Sequence, residues 1–435
     1  MKIVGGRWSN WSGGVVCKPR QIVAPKDEVD LAAAVRQGQG PVRVPGAGHS
    51  FTPLNATDGT LIDLAAFNGL KGFDAEAQVA TFGAATRLWE IGPLIHPLGL
   101  ALKNMGDIDR QTLGGVVGTG THGTGPTLSS FSAEVASFQL LLASGETLHC
   151  SPSQNAEIFA AGRTSMGSLG VMLEIAMNVR PVYKLLEKNF LLSIDELWSR
   201  LDSLVAENRH FEFFWFPYAD VAVCKSLNET DRPAPDPRSA EYMRDRGEKS
   251  GADARTFELI NEALPYAPMF LKQAHRLFSG SMGGGERVRW SHEILPSPRT
   301  TRFNEMEYAV PYEQGPETIR KIVAEIRKRR INTGFPIEFR TVHADDVWLS
   351  PFYQRKSATI AVHQYHRVNT GRLFDMCESI FRGVEGRPHW GKRHTRTREE
   401  FADLYPKFEA FRELRGRLDP AMKFLNSHLR SIFEG

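Results

Sequence analysis

Cysteine is scarce in this chain. Cys17, Cys150, Cys224 and Cys377 are four in 435 residues, far apart, with no CxxC and no Cys/His metal spacing. That pattern excludes a disulfide scaffold and a structural zinc module, and reads as reduced thiols in a cytoplasmic protein with no metal. Long apolar runs are also missing. Nothing approaches the ~18 apolar residues of a spanning helix, and MKIVGGRWSNWSGG at the start lacks the apolar stretch of a signal peptide. The most apolar region, residues 211–224, is broken by Glu212, Pro217 and Asp220 and reads as core strands. Charge of one sign is lacking too: a net +3 gives no reason to expect nucleic acid or an anionic membrane as partner. Two nucleotide signatures are absent. There is no GxxxxGK[ST], and GAGHSF at 46–51 lacks the third glycine of the Rossmann fingerprint, with no acidic residue at the expected distance.

What is present is an ordinary globular composition, 41% hydrophobic and 24% charged. Such a length predicts two or three domains. The first part is rich in Gly, Val and Thr, with predicted strands at 43–45, 60–63, 78–82 and 138–142 and helices at 26–37 and 86–96. Asp27 and Glu28 suit the positive end of the first helix. This mixture predicts an α+β domain. After Pro181 the texture changes. Ser193 and Glu196 have capping-box spacing before a helix at 193–208, and 211–226 reads as paired strands. Residues 228–255 read as a polar surface excursion, 280–285 as a breaker cluster, and 316–330 as a helix whose basic end, EIRKRR, is a solvated face.

Two segments combine glycine with Thr, Ser and a single His: VPGAGHS at 44–50 and GGVVGTGTHGTG at 114–125. Glycine admits φ > 0 and close backbone approach to a ligand. Consecutive N–H groups in such turns form an anion site, with hydroxyls of Ser50, Thr119, Thr121 or Thr124 as added donors. Two such segments in one domain point to a dinucleotide held in a non-Rossmann manner.

These segments, with SMGSLGVM at 165–172, resemble the FAD-binding domain of the vanillyl-alcohol-oxidase (PCMH) type. FWFPYAD (214–220), FNEMEYAVP (303–311), PIEFR (336–340), DDVWLSP (345–351) and RPHWGK (387–392) resemble sugar-1,4-lactone oxidases of the gulonolactone and arabinonolactone type, with alditol oxidase as a relative. The motifs run in the family's order over nearly the whole chain. The resemblance implies an α+β fold with a two-subdomain FAD domain at 1–180. An antiparallel-sheet cap flanked by helices follows at 181–435, with the tail around LDPAMKFLN (418–426) returning to the FAD domain. It implies FAD joined covalently through His49. The cofactor set it implies is Pro45, Gly46, Ala47, Gly48, His49, Ser50, Thr112, Val117, Gly120, Thr121, His122, Gly123, Thr124 and Val171. By itself His49 also reads as a turn histidine bonding phosphate or backbone, and His122 as loop support.

Glu338 and Arg340 stand two apart, so on a strand they point to one face. Spacing alone describes a strand ion pair; the resemblance makes them substrate-binding groups over the flavin. The proton acceptor has three candidates, Lys392, His363 and Glu338. Glu307 and Arg355 are further pocket candidates, and Trp390 is a packing aromatic beside Lys392. A threonine in alditol oxidase where His363 stands here favours lactones over polyols. The expected reaction is oxidation of a sugar lactone or polyol, with oxygen or a quinone or cytochrome as electron acceptor.

Overall fold

Short β-rich segments separated by turn residues form four sheets in the computed structural model, which describes residues 3–236, 239, 252–297 and 301–435. A small antiparallel sheet opens the chain: β1 (Ile3–Val4), β2 (Arg7–Ser9) and β3 (Val16–Cys17). Three parallel strands follow, β4 (Gln21–Val23), β5 (Val42–Arg43) and β6 (Thr60–Ile62), in the order β4-β6-β5. The connecting helix, Glu28–Gln37, starts two residues later than expected, because Asp27 is its N-cap and accepts from the Asp30 amide. Strand β5 ends at Arg43, before Pro45, which has no N–H to donate to a ladder.

The third sheet comprises β7 (Leu70–Asp74), β8 (Val79–Gly83), β9 (Leu100–Leu102), β10 (Val135–Leu141), β11 (Thr147–Cys150) and the long β12 (Val171–Pro181). Its order is β11-β10-β12-β8-β7, with β9 on the far end of β12. Helix Leu113–Thr119 packs against this sheet through Leu113, Val116 and Val117.

The fourth sheet has eight strands: β13 (Lys184–Ser193), β14 (His210–Trp215), β15 (Val221–Glu229), β16 (Glu286–Trp290), β17 (Phe303–Pro311), β18 (Ile337–Val342), β19 (Ser357–Tyr365) and β20 (Arg387–Pro388). All pairs are antiparallel, in the order β16-β13-β15-β14-β18-β19-β17-β20. Side chains alternate between its faces. Phe211, Phe213, Met306, Tyr308, Ile337, Phe339, Ile360 and Val362 form one core with helices Ile194–Glu207, Gly315–Lys328 and Gly371–Arg382. Phe213 and Phe339 are in register and stack, with centroids 4.8 Å apart. Truncating such a ring to Ala costs about 3–5 kcal/mol, so this face fixes the register that places the other.

Ser193 caps the first of these helices by accepting from Glu196 N. The basic end of Gly315–Lys328 is not wholly solvated: Arg327 donates to the carbonyls of Pro217 (2.5 Å) and Ala219 (3.0 Å). Of the polar stretch 228–255, residues 237–238 and 240–251 lie outside the described residues. At 280–285 a helix ends on Met282, and Gly284 and Gly285 take positive φ. Among the described residues, no helix is long and apolar enough to cross a membrane.

The C-terminal segment packs beside β5. The Val42 amide donates to Lys423 O, and Asn426 Nδ2 donates to the carbonyls of Pro53, Leu54 and Ala56 while its Oδ1 caps helix Ser427–Phe433.

Candidate active site

A cavity of about 240 Å³ lies between the turn after β5, helix Leu113–Thr119, the 166–172 loop and the tail at Phe424. Backbone forms much of its wall. Gly114, Gly115 and Gly118 lie along one side of the helix facing the cavity, so no side chain stands in front of its backbone. A methyl group at Gly46 would run into Thr112 Oγ1, and Gly48 has φ +76°, which favours glycine. This is a cradle for a ligand that approaches main chain closely.

His49 lines the cavity and stacks on Trp11, centroids 5.5 Å apart. Its Nδ1 is buried without a hydrogen-bond partner among the described residues. Burial, reinforced by Lys392 and Arg87, pushes its imidazole down to about 4, so it is neutral at physiological pH. A neutral imidazole with an unengaged ring nitrogen is a nucleophile. The glycine wall and this orphaned atom fit a flavin dinucleotide.

Next to it the polar face of the eight-stranded sheet collects charge. Register puts Glu212 opposite Arg340, Glu338 opposite Ala361, Ala361 opposite Glu307, and His363 opposite Glu305. The Arg340 guanidinium binds Glu212 at 3.1 Å and also holds the carboxylates of Asp107 and Glu338. These three carboxylates reach within 4.8 Å of one another, and Arg340 is the cation that bridges them. Lys225 supports Glu212 at 2.9 Å. Burial raises Glu338 to about 7; Arg340 opposes the rise, while Asp107 and Glu212 add to it. Arg340 is held above its usual value because its carboxylate neighbours outweigh its burial.

Farther along the same face, Lys392 binds Glu305 at 2.5 Å, with His363 Nε2 3.6 Å from that carboxylate. Burial resists ionisation of Glu305, but Lys392 and His363 hold it at about 2. Glu307 meets His122 Nε2 at 2.5 Å, and His122 Nδ1 faces Gly123 O at 2.8 Å. The link to the cavity is short. The Phe51 amide donates to Gly391 O at 2.7 Å, and the Lys392 ammonium lies over the Phe51 ring.

Of the sequence-predicted cofactor residues, Pro45, Gly46, Ala47, Gly48, His49, Ser50, Thr112 and Val171 line the cavity. Val117, Gly120, Thr121, His122, Gly123 and Thr124 are not on its wall. Val117 is core, and Thr124 Oγ1 donates to Phe211 O at 2.7 Å, tying the second glycine segment to the eight-stranded sheet. Glu338, Arg340, Lys392, His363 and Glu307 share one face, and His122 reaches it through Glu307. Arg355 is elsewhere, donating to the carbonyls of Glu385 and Ala309. Trp390 is fully buried against Phe401 and Tyr405.

Asp107, Glu212, Glu305, Arg43 and Arg87 escaped the sequence reading. Glu305 was findable, since it stands two residues from Glu307 and shares its strand face, whereas Glu212 reaches Arg340 only through strand register. Asp107 lies in a loop without a local signal.

Comparison with known proteins bears on this geometry. Residues 19–151 match the family described as FAD binding domain, and residues 175–432 the family described as D-arabinono-1,4-lactone oxidase. The chain is 35% identical over 430 residues to an L-gulono-1,4-lactone dehydrogenase of Mycobacterium tuberculosis, covering 98% of each. It is 31% identical over 442 residues to an L-gulonolactone oxidase of Bos taurus, covering 99% of this chain and 98% of the relative. A Streptomyces alditol oxidase is 27% identical over 439 residues, covering 98% of this chain and 99% of the relative. In fold, a cholesterol oxidase from B. sterolicum superposes with a TM-score of 0.82 at 15% identity, covering 98% of this chain and 96% of that one. The FAD binding domain match spans the glycine segments that wall the cavity, and this chain belongs to the sugar-lactone oxidase family of the vanillyl-alcohol-oxidase-type FAD flavoproteins.

Proposed function

We propose that the chain oxidises a sugar-derived 1,4-lactone of the gulono, galactono or arabinono type at a CH–OH carbon, with FAD as oxidant. The observation that carries this reading is the continuity between cavity and charged face: residues 49–51 run from the glycine wall to Gly391 and Lys392, and Lys392 joins Glu305 on the sheet that bears Glu338 and Arg340. We read residues 1–180 as the FAD domain and 181–435 as the substrate cap, with the tail returning to the first.

Bound FAD supplies the hydride acceptor. Glu338, brought near neutrality by burial, takes the proton from the reacting hydroxyl. Arg340 steadies the charge that develops on that oxygen. Lys392 and His363, gathered at Glu305, hold further hydroxyls of the ring in place. The neutral, unengaged His49 is the residue through which the cofactor is tethered. Electrons pass on to dioxygen or to a quinone or cytochrome. Four free thiols support a reducing, cytoplasmic setting.

Three measurements test this. Acid-denatured protein should keep flavin fluorescence on the polypeptide, and His49→Ala should release it; free flavin from the unaltered protein would overturn the tether while leaving FAD binding intact. Gulonolactone or galactonolactone should turn over faster than xylitol or sorbitol; the reverse order overturns the substrate class. Hydrogen peroxide formed under air, set against dye reduction under nitrogen, decides the acceptor.

A further inference from the structure

Arg43 is a buried cation without a buried anion. It is 3% exposed and lines the FAD cavity. Its partners are carbonyl oxygens: Nη1 donates to Gly167 O (3.0 Å) and Phe424 O (2.6 Å), and Nη2 to Met166 O (2.6 Å). A guanidinium has five N–H donors, so two remain, one on Nη2 and the one on Nε, and Nε is buried without a partner. Among the described residues no carboxylate pairs with it. Burial alone pushes the group down to about 10. Carbonyl dipoles only partly offset the removal of a full charge from water.

The three carbonyls come from two segments that wall the cavity, the 166–167 loop and the tail at Phe424. The tail is also tied to this region by the Val42–Lys423 backbone bond, Lys423 Nζ to Arg36 O, Asn426 to the 53–56 carbonyls, and the burial of Phe424 among Leu31, Val42 and Ile62. Arg43 thus touches the cavity, the loop and the tail together.

We propose that Arg43 is the counter-charge to the diphosphate of the bound dinucleotide, and that this pairing couples cofactor occupancy to docking of the C-terminal segment 419–426. The inference rests on FAD binding and not on the covalent tether. With the diphosphate in the cavity, the charge on Arg43 is balanced and its carbonyl bracket holds the tail. Without it, the same bracket keeps an uncompensated cation out of water, and undocking of the tail hydrates that cation. Ligand binding to one of two states shifts the balance toward that state.

The test follows tryptic cleavage at Arg417, Lys423 and Arg430 by mass spectrometry, on flavin-loaded protein and on flavin-poor protein from riboflavin-limited cells. Flavin-poor protein should be cut there about tenfold faster or more, since cleavage of a locally opened segment tracks its open population. ADP should restore protection and adenosine, which lacks the diphosphate, should not. In Arg43→Met, flavin content should fall and ADP should no longer protect. Arg43→Lys keeps the charge but cannot bracket three carbonyls, so ADP should protect it partially. Equal cleavage of loaded and flavin-poor protein overturns the proposal. So does protection by adenosine equal to that by ADP, or full ADP protection in Arg43→Met. If Arg43→Met does not fold, the ADP and adenosine arms on the unaltered chain still decide. A chain that never carries flavin would instead overturn the cofactor reading.

Discussion

Arg43, on the wall of the glycine cavity, and Arg340, on the charged face of the eight-stranded sheet, are both buried arginines, yet their surroundings are opposite. Arg43 meets only carbonyl oxygens and is pushed down by burial. Arg340 meets three carboxylates and is pushed up, while one of those carboxyls, Glu338, rises to about 7. One region is left short of negative charge and the other holds an excess of it. The difference suits the ligand proposed for each region. A diphosphate brings its own anion, so its site keeps a cation in reserve. A base for a lactone hydroxyl is an ionised carboxylate with a value near working pH, and Glu338 at about 7 suits that part of the proposed reading.

The contrast breaks most completely if Arg340 is removed. Arg340→Met leaves three close carboxyls without their cation, and flavin reduction by substrate should slow on the order of a thousandfold, measured anaerobically by stopped flow. A rate within a factor of two of wild type would deny Arg340 its role. Next comes Glu338→Gln. The reduction rate should fall about a hundredfold, and the limb of the pH–rate profile near 7 should vanish. The sign is that of a base: wild-type rate rises as pH rises through the Glu338 value, because only the carboxylate accepts a proton. An unchanged limb would assign it to another group.

The smallest effect concerns stability. His210, on the same sheet, is fully buried, with Nδ1 facing Thr124 O at 2.8 Å and Nε2 without a partner among the described residues. Burial, aided by Arg209, pushes it down to about 3 from 6.5, so unlike Arg43 it avoids an unpaired charge by remaining neutral. Folded pKa lies below unfolded pKa, so between those values the unfolded chain binds the extra proton and stability falls as pH falls. Its share of the loss from neutrality to about pH 5 is about 2 kcal/mol. His210→Gln cannot charge, so urea midpoints measured across that range should decline less steeply than in wild type. Parallel declines would remove His210 as the cause.

The two regions were unequally readable from sequence. The cavity was partly visible because glycine spacing is local: 44–50 lines it as expected, whereas the segment 114–125 was expected to meet the cofactor at 120–124 and instead lines the cavity at Gly114, Gly115, Gly118 and Thr119. The charged face was half visible. PIEFR places Glu338 and Arg340 on one side of a strand by alternation alone. That Glu212 stands opposite Arg340, and that Asp107 closes the cluster, depends on strand register and on a loop 233 residues away in sequence. Helix ends were read to within one or two residues where Asp27 and Ser193 cap them. Arg43 was read only as part of a strand, because nothing near it in sequence reveals that its partners are residues 166, 167 and 424.

That last contact also orders events during synthesis. The Arg43–Phe424 bond joins residues 381 apart, so the first-made half of the cofactor cavity emerges from the ribosome without one wall. The cavity has its full lining only with Phe424 in place, although its other wall residues all lie between 42 and 172.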